Sequence, residues 1–157
     1  MNAQFNKIIC PVDFSAASES ALSQAVALAE QSGAELLLLT VVTPVPAAAF
    51  SEGMLFAELS TLPDHSTDAA EMRLSALRDT FCTAILDRTS TQLAVGIPFV
   101  EIVRCARDVK ADLIVMGSHG LTGIEHLLIG SVAERVVRKA PCSVLVVRDA
   151  NRRFVMP

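Results

Sequence analysis

Glycine is scarce in this chain of 157 residues and unevenly placed: of seven glycines, four, Gly117, Gly120, Gly123 and Gly130, fall within the 14 residues from 117 to 130. The stretch reads Gly-Ser-His-Gly-Leu-Thr-Gly-Ile-Glu-His-Leu-Leu-Ile-Gly, and Ser131 follows. It leaves the apolar run 111–116 and ends where an amphipathic segment, 131–139, begins. A chain passing from a buried strand to a helix N-terminus presents several backbone N–H groups and a positive dipole end to an anion. Glycine lets that backbone approach with no Cβ in the way. The chemistry on offer is phosphate binding. The stretch is not a Walker A loop, because it lacks the lysine, nor a GxGxxG fingerprint, because its first two glycines are three apart. Glycines after a strand also simply make turns, and at this level both readings stand.

Other chemistries are poorly supplied. His65, His119 and His126 form no HExxH or similar group, and Cys10, Cys82, Cys105 and Cys142 show neither zinc-site pairing nor the density of a disulfide framework. Each cysteine is flanked by apolar residues, so all four are expected to be small core residues and no metal site is expected.

The elements that must position the glycine stretch follow from apolar patterning. Residues 7–12, Lys-Ile-Ile-Cys-Pro-Val, form a short run typical of a strand buried on both faces, with Pro11 at its end because it cannot donate to a ladder. Ser15 is an N-cap candidate for a helix carrying Ala21, Leu22, Ala25, Val26, Leu28 and Ala29 and stopping at Gly33. Residues 35–42 read as a second buried strand. Residues 43–65 read as a loop with a short helix, a flap over the core or a partner subunit rather than a hydrophobic ligand site. The spacing of Ala70, Leu74, Leu77, Phe81 and Ile85 predicts one helix from Thr67 to about Arg88. A strand over 91–95, a turn at Gly96 and a helix opening at Pro98 follow. Strands over 111–116 and 143–148 flank the 131–139 helix, and 149–157 read as a loose tail. Five buried strands alternating with four helices predict a single α/β domain, a doubly wound parallel sheet with helices on both faces.

Composition narrows the function classes. Hydrophobic residues make up 52% of the chain, with mean hydropathy +0.47. The longest stretch without a formal charge, Leu36–Ser51, has 16 residues and two prolines, short of the ~20 apolar residues of a spanning helix. No secretory signal core precedes Asp13. A cytoplasmic domain without a membrane segment is expected. Residues 1–72 carry one lysine against nine acids, and 73–157 carry twelve bases against eight acids. The basic surplus is spread out, and with no Trp or Tyr the chain does not look like a nucleic-acid binder.

The pattern Gly117-x2-Gly120-x9-Gly130-Ser131, preceded by Ala-Asp-Leu-Ile-Val-Met and followed by Val-Ala-Glu-Arg-Val-Val-Arg-Lys-Ala-Pro-Cys-Ser-Val-Leu-Val-Val-Arg, resembles the universal stress protein family. The opening Ile-Ile-Cys-Pro-Val-Asp-Phe-Ser, with Ser20-Ala21-Leu22 after it, is similar to that family's opening, and the resemblance runs from about residue 6 to 148. It implies an adenine nucleotide alpha hydrolase-like fold with strand order 3-2-1-4-5, usually dimeric, in the branch that keeps the ATP motif. By position it implies that Pro11, Val12 and Asp13 line the nucleoside, Asp13 accepting from a ribose hydroxyl, and that Val41 offers backbone groups to adenine. It places Met116, Gly117, Gly120, Gly130 and Ser131 around ribose and phosphates, with Val132 adding backbone contact.

Alternatives stay open at two residues. Asp13 either serves the ligand or merely caps the Ser15 helix, and His119 lies near phosphate or faces solvent rather than acting as a general base. Leu121 stands where many relatives carry Arg or Lys, and Glu125-His126 adds an acid, so positive charge is lost near the phosphates and AMP competes with ATP as the expected nucleotide. No base suited to activating water at a γ-phosphate is evident, so any hydrolysis, with Mg²⁺ carried by the phosphates, is expected to be slow. The expected partners are an adenine nucleotide and a second copy of the chain, paired through the apolar last strand. The client proteins are unknown. The rival functions are a weak ATPase and a nucleotide-free dimeric interaction module.

Overall fold

The computed structural model describes residues 5–44, 67–120 and 129–148. Most of the flap, residues 121–128 with Leu121, Gly123 and Glu125-His126, and the tail lie outside the described residues.

Five parallel strands, β1 (Lys7–Pro11), β2 (Glu35–Val42), β3 (Thr89–Val95), β4 (Leu113–Gly117) and β5 (Ser143–Val147), form one sheet in the order β3-β2-β1-β4-β5. Helices α1 (Ala16–Ser32), α2 (Thr67–Phe81), α3 (Pro98–Asp108) and α4 (Ser131–Lys139) cover it. Alternation along each strand sends its side chains to two separate cores. Ile8, Cys10, Leu36, Leu38 and Val115 meet Ala21, Leu22 and Leu74 of α1 and α2. Ile9, Leu37, Leu39, Ile114 and Met116 meet Ile102, Ala106, Ala133 and Val136 of α3 and α4. The sheet is doubly wound, with two helices on each face among the described residues. Each fully buried Leu, Ile or Val contributes about 1.5–3 kcal/mol.

The end signals of the helices act as their residue types require. Ser15, in extended conformation, accepts from the Ser18 N–H at 3.3 Å, and Gly33 closes α1 with φ 75° and an N–H to the Ala29 carbonyl at 2.9 Å. Pro98 opens α3.

Several expectations are corrected. The helix from Thr67 ends at Phe81, and Thr83–Arg88 form a 3₁₀ turn. The chain kinks at Ile85, whose φ −130° and ψ 24° are not helical; Cys82 and Ile85 both lie in the core, and the Ile85 carbonyl accepts the Thr89 hydroxyl at 2.8 Å. β3 therefore begins at Thr89, two residues early. β4 begins at Leu113 rather than 111, because Asp112 is used as a bracket: its carboxylate accepts the Asn6 and Lys7 amides at 2.8 and 2.9 Å. Burial on both faces holds for β1, β2 and β4, whereas the edge strands β3 and β5 are half exposed. Cys10, Cys82 and Cys105 are buried, but Cys142, just before the β5 edge, is only half-buried.

Candidate functional site

β1 runs between β2 and β4, and its two sides are zipped to different lengths. Against β2 the register runs through all five residues to Pro11↔Leu39, and Val12 continues it with its N–H on the Leu39 carbonyl at 2.8 Å. Against β4 only Ile8↔Leu113 and Ile9↔Ile114 pair. In a parallel strand successive residues direct their backbone groups to opposite neighbours. Val12 faces β2, so Pro11 faces β4, and there its nitrogen has no hydrogen to give. The ladder stops short of the C-terminal ends of the two strands, where the chain's crossovers change direction. In open α/β sheets that is the place where ligands bind.

The same alternation fixes what Val41 does. Leu39 turns its carbonyl to β1, so Val41, two residues on, turns its N–H and C=O the same way, beyond the point where β1 has ended. The Val12 carbonyl accepts the Thr40 hydroxyl at 3.0 Å. A donor and an acceptor on one residue thus border the gap. The Val41 and Val132 side chains pack against the apolar cluster that contains Met116.

On the other flank, Asp13, Phe14 and Ser15 form a locked corner. Asp13 Oδ1 accepts from the Ser15 N–H at 3.1 Å and from the Ser15 hydroxyl. Phe14 between them has φ 64°, a left-handed conformation that costs a non-glycine residue about 1–2 kcal/mol. Its ring packs on the α1–α2 core, and the Arg73 guanidinium lies 4.0 Å from the ring centroid. Asp13 therefore does brace the start of α1, through one of its two carboxylate oxygens.

The glycine stretch closes the site from β4. A Cβ on Gly117 would lie 2.9 Å from the Ala17 backbone, so this glycine admits the first turn of α1 against the sheet. Ser118 is buried, donates its N–H to the Val147 carbonyl at 2.8 Å, and accepts the Gly130 N–H at 2.7 Å. The Ser118 hydroxyl and His119 Nδ1 are 3.0 Å apart. A Cβ on Gly120 would collide with Asp13 Oδ2, so the two flanks touch here. A Cβ on Gly130 would stand 3.1 Å from the Ser118 carbonyl.

Asp13 and Gly120 are thus brought together, with His119 and Gly130 next to one another beside them. The Gly130 amide is committed to the Ser118 carbonyl, so an anion here would meet the amides that follow it. Ser131 and Val132, in the first turn of α4, have no acceptor within their own helix, and the N-cap Gly130 has no side chain to provide one. Pro11 and Val12 are buried; Pro11 has no donor for β4, while Val12 extends the ladder to β2. Ser118, Thr40, Phe14 and Arg73 escaped the sequence reading. Among them only Phe14, between Asp13 and a helix cap, carried a local signal. Among the described residues no group of three or more His, Cys, Asp or Glu could hold a metal ion, and no helix is long and apolar enough to cross a membrane.

Comparison with known proteins agrees with this architecture. The model of the universal stress protein family matches residues 4–148. The universal stress protein MJ0531 of Methanocaldococcus jannaschii is 35% identical over 148 residues, covering 94% of this chain and 85% of the relative. The solved structure of MJ0577, a universal stress protein of the same organism, superposes with a TM-score of 0.76 at 31% identity, covering 98% of this chain and all of the other. A universal stress protein solved in complex with cAMP superposes with a TM-score of 0.66 at 27% identity, covering 94% of this chain and all of the other. The chain belongs to the universal stress protein family.

Proposed function

We propose that this chain binds an adenine nucleotide, ATP or AMP, in the gap between β1 and β4, and acts in the cytoplasm as a homodimeric stress-response protein. The observation that carries the reading is the broken β1–β4 ladder, because it turns the Val41 backbone, Asp13 and the start of α4 to one opening. Each matches a different part of the ligand. A backbone N–H beside a C=O complements the N1 acceptor and N6 donor of adenine, and mismatches guanine, whose N1 donates and O6 accepts. A carboxylate accepts from ribose hydroxyls. The Ser131 hydroxyl and the Ser131 and Val132 amides suit phosphate oxygens. Mg²⁺, where present, would arrive with the phosphates. The cAMP complex of a relative at 27% identity supports the ligand class.

The two sheet edges support the dimer through β5. β3 opens with Thr-Ser-Thr-Gln, whereas β5 is Ser-Val-Leu-Val-Val, and Leu145 on β5 and Val137 on α4 are 39% and 49% exposed. An apolar edge of this kind is normally paired or covered.

Equilibrium titration of the purified chain with ATP, AMP and GTP tests the site. The adenine nucleotides should bind and GTP should not, and Gly130→Val and Asp13→Ala should each weaken binding by about tenfold or more, the scale of one lost charge-assisted hydrogen bond. Undiminished binding in both variants refutes the assignment. Sedimentation as a monomer at micromolar concentration refutes the dimer.

A further inference from the structure

Phe14 holds a conformation that its own backbone resists, in the residue that follows Asp13. Glycine would adopt φ 64° freely, yet a benzyl side chain stands there. Strained residues persist where the surroundings over-determine them. Three restraints act on this one. The Asp13 carboxylate spans it to reach the Ser15 N–H, its ring enters the core shared by α1 and α2, and the Arg73 guanidinium covers the ring at 4.0 Å. Arg73 is exposed, but Ala70 and Leu74 bury its helix against the core, so the backbone that carries it is fixed. Relaxation of Phe14 to negative φ would rotate the peptide joining it to Ser15 and withdraw the N–H from Asp13 Oδ1. The carboxylate would then turn freely, and Oδ2 would leave its place against Gly120.

We propose that Phe14 and Arg73 are positioning residues for Asp13: the stacked pair keeps the Asp13 carboxylate turned to the gap and thereby sets the preference of the site for a ribose over a sugar without hydroxyls. The proposal rests on the reading that an adenine nucleotide binds there with Asp13 at the ribose. It makes α2, which contributes none of the expected ligand contacts, a determinant of sugar selectivity. A cation over an aromatic face is mainly an electrostatic attraction, so lysine should retain part of the effect.

The test compares dissociation constants for ATP and 2′,3′-dideoxy-ATP in the wild type, Phe14→Gly, Arg73→Ala and Arg73→Lys, with thermal midpoints recorded alongside. Phe14→Gly keeps the left-handed conformation accessible while removing the ring from the core, so the thermal midpoint reports the lost packing and the ratio of the two dissociation constants reports the lost selectivity. The wild type should prefer ATP by about tenfold, one charge-assisted hydrogen bond. Phe14→Gly and Arg73→Ala should cut that preference about three- to tenfold by weakening ATP while leaving dideoxy-ATP unchanged, and Arg73→Lys should fall between. Equal weakening of both nucleotides means a merely structural role and overturns the proposal, as does an unchanged preference in both variants. A wild type that binds both nucleotides equally defeats the Asp13–ribose contact. A wild type that binds neither defeats the nucleotide reading as well.

Discussion

The two neighbours of β1 differ in one respect, and that difference makes the candidate site. Toward β2 the ladder is continuous and extends past the strand to Val12, whereas toward β4 it pairs two residues and stops. The interior of the strand does not explain this, since Ile8, Ile9 and Cys10 are all fully buried, Ile8 and Cys10 in one core and Ile9 in the other. The cause is a single missing hydrogen on Pro11, on the side that faces β4. A sheet can therefore be opened for a ligand at one residue without loosening its core, because backbone pairing and side-chain packing are set by different groups.

The largest effect should come from filling the opening. Gly120→Val places a branched side chain where Asp13 Oδ2 now lies, and should lower nucleotide affinity by about a hundredfold through displacement of that carboxylate. Gly120 is exposed, so the thermal midpoint should hardly move, and calorimetric titration with unaltered affinity would show the contact to be irrelevant. A smaller effect should follow from mending the ladder. Pro11→Val restores a donor facing β4, so the residue 11 amide should become protected from hydrogen exchange, stability should hold or rise, and affinity should fall about tenfold. An amide that exchanges freely would remove proline as the cause of the gap.

The smallest effect concerns the opposite end of the same strand pair. There Asp112 ties β4 to the start of β1, and the Asn6 and Lys7 amides hold its carboxyl below the usual carboxylate range. A depressed value in the folded state stabilises above the unfolded value and is lost as pH falls through the folded one. Denaturant titrations from pH 7 downward should show the wild type losing stability below about pH 4, with a shallower loss in Asp112→Asn. Parallel slopes would mean that the bracket carries no net stability.

Much of the architecture was legible in the sequence, because period and punctuation are local signals. Ser15, Gly33 and Pro98 marked helix ends, and the apolar runs marked the three central strands. The 3₁₀ turn was not legible: Ile85 sits at a spacing a continuing helix would also use, and only packing distinguishes them. At the site, the glycine cluster and Asp13 stood out as residue types. The direction of a backbone group did not, since it depends on register with a neighbour: nothing in the sequence says that the Gly130 amide is spent on the Ser118 carbonyl. That Pro11 turns its missing donor to β4 and Val41 its backbone groups to the β1 side emerges only from counting alternation outward from the Val12–Leu39 bond. The place of Phe14 between Asp13 and a helix cap is legible, but its left-handed conformation is not, because such a backbone is signalled by glycine, asparagine or aspartate and not by an aromatic residue.

The hydrogen bond from Ser118 to the Val147 carbonyl joins the glycine stretch to the edge strand β5. Thermodynamic linkage is symmetric. If a strand docking along that edge shifts Val147 and, through it, Ser118, then whatever factor docking applies to ligand affinity, ligand must apply to docking. A small molecule in the sheet's interior gap and a protein at its margin would then report on one another through one carbonyl oxygen, with no moving domain between them.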